Sequence, residues 1–466
     1  MGIEPEREVE ISLGQSKEII WTDSEGKKRT LVVPPTVYPP REDTNMLHES
    51  LMQIKGIPGR LLEIGTGTGA IGISMAEIGW EVCGVDVNPL AIVAARGNHK
   101  TGNFVALEKN IEDIEAEENK SWDVITWNTP YLECPSDNRS RLGPFEEAAL
   151  SWEGEHPIRL LLKLGSKPGI LSNQGCIIAL VSPSHRTNRE LGIAISEGWS
   201  VRPIQTRCNG GERTTVIALW RGWEWDPIIK NSISSTMELL EQNTPAGKCA
   251  IAIEQTNGYG RNNSNWISLE GDITATWRIC GPNPPKFSVQ EMHMAASLAV
   301  HGAICTWNNI TPQFTTWSKE ENSQYTIKWP NDIYSRAGNE KVAGILLHAE
   351  SKGEKAWISC GVGVNGIDRK IDGNEIKGIS KSGLEGLEIH LHRHFSSWFE
   401  EHQRIPIVDA KFLRKRWWSA ASKTQIIGSK GKANDETGII SKISDSGLEI
   451  VTRSAIKQIS ELEMII

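Results

Sequence analysis

The sequence predicts a multidomain α/β and α+β protein: a doubly wound parallel sheet, then an α+β domain, then a small β-barrel. Three observations carry that prediction. Short β-rich apolar runs alternate with helical segments through residues 58–220, a tryptophan-rich junction breaks this rhythm, and short strands separated by glycines fill the chain from residue 419 onward. At 466 residues the chain also exceeds what one hydrophobic core usually organises.

The apolar runs at 60–64, 81–85, 122–127 and 175–181 are each followed by turn or helix material, which is the pattern of parallel strands with crossover helices. The junction Trp220-Arg-Gly-Trp-Glu-Trp-Asp-Pro227 ends it. Ser234-Ser235-Thr236, with Glu238 placed near a first turn, signals a new helix and puts a domain boundary near residue 229. Gly428, Gly431, Gly438 and Gly447 punctuate the last segment as turns of a small barrel. The predicted domains are therefore 1–228, 229–418 and 419–466.

Hydrophobic residues at 38% and charged residues at 23% suit a globular chain and exclude a disordered one. A net charge of −8 and the lack of a recognition-helix pattern in the first 228 residues argue against a nucleic-acid partner. The eight cysteines stand apart, with no C-x-x-C pair to suggest zinc or a redox centre. Residues 1–10 are acidic and polar, no apolar run is long enough to span a membrane, and Glu6 sits where a myristoylation signal needs Ser or Thr. These features predict a cytoplasmic protein with no membrane partner.

The first chemical constellation is Leu61-Leu-Glu-Ile-Gly-Thr-Gly-Thr-Gly69. A strand running into Gly65, Gly67 and Gly69 lets the backbone turn sharply against a ligand, and the following helix offers free amides. Asp86, 21 residues after Gly65, ends the next strand, where a carboxylate can accept both ribose hydroxyls. Alone, this loop fits NAD-dependent enzymes and methyltransferases equally, and a plain tight turn is a third reading. Asn128-Thr-Pro-Tyr131 separates them, because it follows an apolar strand and so lies at the carboxyl edge of the sheet. An amide or exocyclic amine is a poor nucleophile. The Asn128 side-chain oxygen and the Pro130 carbonyl can both accept hydrogen bonds from such an NH2 group and aim it, while Tyr131 can stack on its plane. A turn closed by Asn and Pro is the bland alternative.

Asn128-Thr-Pro-Tyr131 resembles the Asn-Pro-Pro-Tyr signature of amino-methylating enzymes. Together with Val37-Tyr-Pro-Pro-Arg-Glu-Asp-Thr44 it resembles the glutamine-N5 methyltransferases that modify translation release factors, over residues 37–220. The resemblance implies a Rossmann-like class I methyltransferase using S-adenosylmethionine. Thr44, Glu63, Gly65, Asp86 and Asn110 would line the cofactor pocket beside Gly67 and Gly69, and Asn128, Pro130 and Tyr131 would hold the acceptor amide. Thr129 departs from the family by replacing the first proline of the signature. An adenine amine in nucleic acid would suit the same grip, but no basic patch accompanies it.

Lys328-Trp-Pro-Asn-Asp-Ile333, Lys341-Val-Ala-Gly-Ile-Leu346 and Gly361-Val-Gly-Val-Asn365 form the second constellation. These blocks in this order closely resemble biotin protein ligases, from residue 234 to the end of the chain. Residues 254–266 stand where that family has its Gly-Arg-Gly-Arg loop. The resemblance implies a biotin/lipoate-ligase-type α+β catalytic domain with a small C-terminal β-barrel. It would use biotin, ATP and Mg2+ to modify a lysine of a biotin carboxyl carrier protein or domain. The chemistry explains the residue types: a carboxylate must attack the α-phosphate of ATP, and two anions meet only where fixed cations neutralise them. Lys341 would bridge the two, Lys328 and Arg261 would add positive charge, and Asn331 and Asp332 would offer oxygen ligands to Mg2+. Amides of Gly258 and Gly260 would close over the adenylate. Ser235, Thr236 and Gln255 would bond the ureido ring, with Gly361 and Gly363 as its wall and Trp266 and Asn365 completing the set. Tyr259 replaces the first loop arginine and Asn263 a frequent glycine, which predicts a slower or leakier ligase. A lipoate ligase is the nearest rival, and the Lys-Trp-Pro-Asn-Asp block favours biotin.

His390-Leu-His-Arg-His394 has metal-ligand spacing, but it lies in an amphipathic helical run with Phe395 and Trp398 expected to face inward. The 18 tryptophans read as core filling rather than as a base-stacking surface. Thr129 and Tyr259 also leave open that one half has lost catalysis and serves as a docking module.

Overall fold

The computed structural model describes residues 14–130, 155–209, 212–260, 265–310 and 324–464, less 267, 284, 330, 338–339, 372–373, 381–382, 422–427, 429, 434–435, 445–446 and 460–462. The chain folds as two units. The first comprises Met1–Ala194, Val201–Arg221 and Glu401–Pro406, and the second comprises Ile195–Ser200, Gly222–Glu400 and Ile407–Ile466.

The first unit opens with the hairpin β1 (Lys17–Thr22) and β2 (Lys28–Val33), then α1 (Glu42–Met52). Strands β3 (Arg60–Ile64), β4 (Glu81–Asp86), β5 (Phe104–Glu108), β6 (Trp122–Asn128) and β7 (Leu171–Val181) are parallel, with α2 (Ala70–Glu77), α3 (Pro89–Asn98) and α4 (Pro157–Ser166) between them. After α5 (His185–Ser196), β8 (Trp199–Asn209) and β9 (Glu212–Arg221) complete a seven-stranded sheet in the order β5-β4-β3-β6-β7-β9-β8. Because β9 runs antiparallel to β7, the sheet is mixed, whereas the sequence predicts a parallel one. Strands covered on both faces carry near-continuous apolar runs, and Leu61, Val124, Ile178 and Leu180 are accordingly buried in one core. The chain reverses its winding between β3 and β6, so a crevice opens beyond their carboxyl ends. The discontinuous segment 401–406 belongs to this core: Ile405 is fully buried in it, and Arg404 pairs with Asp123 at 2.9 Å.

The second unit is built on a seven-stranded sheet in the order β10-β11-β14-β18-β17-β16-β15. Its strands are β10 (Ile228–Ile233), β11 (Cys249–Gln255), β14 (Ile273–Cys280), β15 (Tyr325–Lys328), β16 (Asp332–Ser335), β17 (Glu340–Lys352) and β18 (Lys355–Val364). Two short pairs, β12 (Gly258–Tyr259) with β13 (Asn265–Trp266) and β19 (Arg369–Ile371) with β20 (Asn374–Ile376), lie outside it. Helices α6 (Val289–Trp307), α7 (Leu387–Phe399) and α8 (Ala410–Ala420) share its core, in which Trp277 stacks on Phe395 at 4.9 Å. Ser288 and Glu291 cap α6 reciprocally. The helix expected from Ser234 is instead a single 3-10 turn, Thr236–Leu239, with Ser235 as its cap. Residues 430–464 form the antiparallel strands β21 (Lys430–Ala433), β22 (Glu436–Ser444), β23 (Gly447–Val451), β24 (Ile456–Ile459) and β25 (Glu463–Met464), in the order β24-β23-β22-β21-β25. Among the described residues no helix is long and apolar enough to cross a membrane.

Candidate active sites

The crevice of the first unit is a cavity of about 790 Å3, and Thr44, Glu63, Gly65, Gly67, Asp86, Asn110, Asn128 and Pro130 all line it. Gly65 and Gly67 have φ values of 63° and 55°, a region that side chains disfavour, and a Cβ on Gly65 would lie 3.0 Å from the Trp127 indole nitrogen. The amide of Gly67 donates to Asp86 Oδ2 and that of Asn88 to Asp86 Oδ1, both at 2.9 Å, which fixes the carboxylate at the cavity edge. Burial raises the Asp86 pKa against these bonds. Glu63 is engaged from below: Thr66 Oγ1 and the Gly72 amide donate to its Oε2 at 2.6 and 3.1 Å. Desolvation still pushes its pKa up to about 8. Gly69 caps α2 rather than lining the cavity, and Asn110 accepts from the Glu112 amide at 3.3 Å.

Asn128 is the last residue of β6, and its Nδ2 donates to Asp43 Oδ2 at 2.9 Å. Its Oδ1 is buried without a hydrogen-bond partner. A buried acceptor left open is costly unless a ligand fills it, so the cavity presents a fixed acceptor to an incoming N–H. Tyr131 lies outside the described residues.

In the second unit Lys341, Asp332, Trp266, Gly344 and Gly363 come together. Lys341 Nζ lies 2.8 Å from Asp332 Oδ1 and 5.5 Å from the centre of the Trp266 ring. A Cβ on Gly344 would lie 3.0 Å from Trp266 and 3.1 Å from Lys341 Nζ, one on Gly363 would strike the same indole, and one on Gly361 would meet Met237 Cε at 2.7 Å. Asn365 Nδ2 donates to the Lys341 carbonyl at 3.2 Å. The Thr236 amide donates to Gln255 Oε1 at 2.8 Å, which ties Thr236 to the end of β11, and Ser235 Oγ caps the same turn by accepting from the Met237 amide. Lys328 is placed over the Tyr334 ring, 4.7 Å from its centre. Asn331 Nδ2 donates to the Ile345 carbonyl at 3.0 Å. Gly258 and Tyr259 form β12, and the Tyr259 hydroxyl donates to Glu238 Oε1 at 3.4 Å. Gly260 follows this strand, while Arg261 and Asn263 fall outside the described residues.

Asp43, Trp127, Thr66 and Met237 were not singled out from the sequence. Asp43 lies within the quoted 37–44 segment, but nothing in the sequence links it to a residue 85 positions away.

Two family matches follow these two sites. Residues 62–139 match the methyltransferase domain family, and residues 229–365 match the biotin/lipoate A/B protein ligase family. The chain thus joins a methyltransferase domain to a biotin/lipoate ligase domain. A release factor glutamine methyltransferase of Buchnera aphidicola is 32% identical over 26% of this chain and 45% of its own length. The bifunctional ligase/repressor BirA of Bacillus spizizenii is 27% identical over 34% of this chain and 45% of its own. A biotin protein ligase structure from Aquifex aeolicus, in complex with biotin and ATP, aligns with 52% of this chain and 98% of its own at 23% identity and a TM-score of 0.40. The chain spans about half the length of the first curated relatives it matches.

Proposed function

We propose that this chain is a cytoplasmic bifunctional protein-modifying enzyme, with residues 1–228 methylating a protein glutamine of the release-factor type and residues 229–418 biotinylating a carrier-protein lysine. The five strands after residue 419 are read as the small barrel of the ligase. The observation that carries the first activity is the open Asn128 Oδ1 in a cavity edged by the glycine turn and Asp86.

Gly65, Gly67, Thr44, Asn110 and Asp86 would hold S-adenosylmethionine, with Asp86 on the ribose. The bound cofactor supplies an electrophilic methyl group on a sulfonium. Asn128 Oδ1 and the Pro130 carbonyl accept the two N–H bonds of the acceptor amide and turn its nitrogen toward that carbon. The N–C bond forms as the C–S bond breaks, the electron pair stays on sulfur, and one nitrogen proton passes to water. Among the described residues Asp43, Asp86, Glu112 and Glu155 line the cavity as carboxylates against one lysine, Lys109. A cationic donor suits that lining, and the phosphates of a nucleic-acid acceptor do not.

In the ligase half, Lys341 leaves Asp332 to bridge the biotin carboxylate and the α-phosphate of ATP. The carboxylate attacks phosphorus and pyrophosphate leaves; the carrier amine then attacks the acyl carbon and AMP leaves. Among the described residues no cluster of three His, Cys, Asp or Glu could cage a metal. Mg2+ would be held with the triphosphate by the Asp332 carboxylate and the Asn331 side-chain oxygen, whose amide nitrogen is anchored on the Ile345 carbonyl.

Intact-mass analysis of a release factor and a carrier domain after reaction with the full chain tests both halves. One methyl on a glutamine and one biotin on a lysine are expected. Asn128→Ala should slow only the first by about 100-fold or more, and Lys341→Gln only the second. Loss of both reactions in either variant refutes independent sites.

A further inference from the structure

One carboxylate lining the methyltransferase cavity is bonded directly to Asn128. Asp43, 8% exposed, lies in the first turn of α1, and its Oδ2 accepts from Asn128 Nδ2 at 2.9 Å. Its Oδ1 accepts from the Thr44 amide at 2.8 Å, so the first turn of the helix fixes the carboxylate in turn. A side-chain amide has a donor end and an acceptor end related by a half-turn, and a carboxylate accepts only from the donor end. We infer that Asp43 is a positioning residue that locks the Asn128 amide with Oδ1 toward the acceptor, and so sets the specificity for an N–H-bearing planar group over an isosteric carboxylate. The inference rests on the methyltransferase reading above.

The physical logic is discrimination by an unpaired group. A glutamine amide supplies the donor that the buried Asn128 Oδ1 lacks, whereas a glutamate would set carboxylate oxygen against amide oxygen with Asp43 close behind. If Asp43 becomes an amide, Asn128 gains a partner that serves either end. It can then turn its own NH2 outward and accept a carboxylate.

The test measures binding of two peptides to the full chain: a release-factor loop peptide with the acceptor glutamine, and its glutamate twin. Wild type should prefer glutamine, and Asp43→Asn should narrow that preference by about tenfold or more while leaving the Kd for S-adenosylhomocysteine within about twofold. A second measurement covers the variant's own stability. Single-turnover methylation should fall in Asp43→Ala, yet Asp43→Ala should cost nothing further in an Asn128→Ala background, because Asp43 acts through Asn128. A wild-type preference that Asp43→Asn retains, or additive losses in the double variant, overturns the inference alone. A wild-type chain that favours neither peptide overturns the glutamine reading, and this inference with it.

Discussion

Glu63 lines the cavity of the first unit with its Oε2 held by Thr66 and Gly72, yet burial drives its pKa up to about 8. The folded state therefore keeps this proton until about pH 8, while the unfolded chain releases it near the ordinary value of 4.5. Stability from the neutral form is complete below the unfolded pKa and is lost as pH rises through the folded one. Glu63→Gln, which cannot ionise, should gain on wild type by about 10 °C in Tm between pH 5 and pH 8. A constant difference across that range would show that Glu63 is charged throughout. At this scale the sequence was informative about single positions and silent about pairs. Asn128 announced itself by following an apolar strand, and Gly65 and Gly67 by their spacing. Asp43 did not, because the bond that gives it a role joins residues 43 and 128 only after β6 is laid beside α1.

Among the elements, α7 shows how a suggestive motif resolves into packing. His390 Nδ1 and His394 Nε2 both meet the Thr306 hydroxyl of α6, at 2.9 and 3.2 Å, and Phe395 is fully buried beside them. Spacing i, i+4 brings the two rings to one face, and in this fold that face meets a threonine. Burial holds the His394 pKa well below its ordinary value, so the ring is neutral where the helices pack. Thr306→Val keeps the shape but leaves two imidazole nitrogens without that partner, and should cost the second unit about 1–3 kcal/mol in urea unfolding. An unchanged midpoint would mean that water reaches the pair. Element prediction failed where tertiary context overrides local pattern. Strand β10 is exposed along nearly its whole length, and only its parallel pairing with β11 makes it a strand. The helix signal at Ser234 was correct as a cap, but the turn it starts ends after Leu239. The four apolar runs of the first unit were legible because strands buried on two faces must be continuously apolar.

For the whole molecule, the order of the motifs agrees with the order of the two family matches along the chain, while the return of segment 401–406 to the first unit left no trace in any local pattern. Net charge has a sharper consequence. With −8 overall and acidic groups dominating the lining of the methyltransferase cavity, the chain has little with which to displace counterions from a phosphate backbone. A protein that grips nucleic acid through several phosphates loses about 1,000-fold or more in affinity between roughly 50 and 200 mM salt. A neutral glutamine side chain carries no such term, and surface charges elsewhere on its protein are screened beyond about 10 Å. Methylation by this chain should therefore change by no more than about threefold in kcat/KM over that salt range, with the release factor as acceptor. A steep fall with salt, together with methyl transfer to an adenine-containing oligonucleotide, would move the acceptor from protein to nucleic acid. It would leave the Asn128 grip intact, because both acceptors present the same planar NH2 to Oδ1.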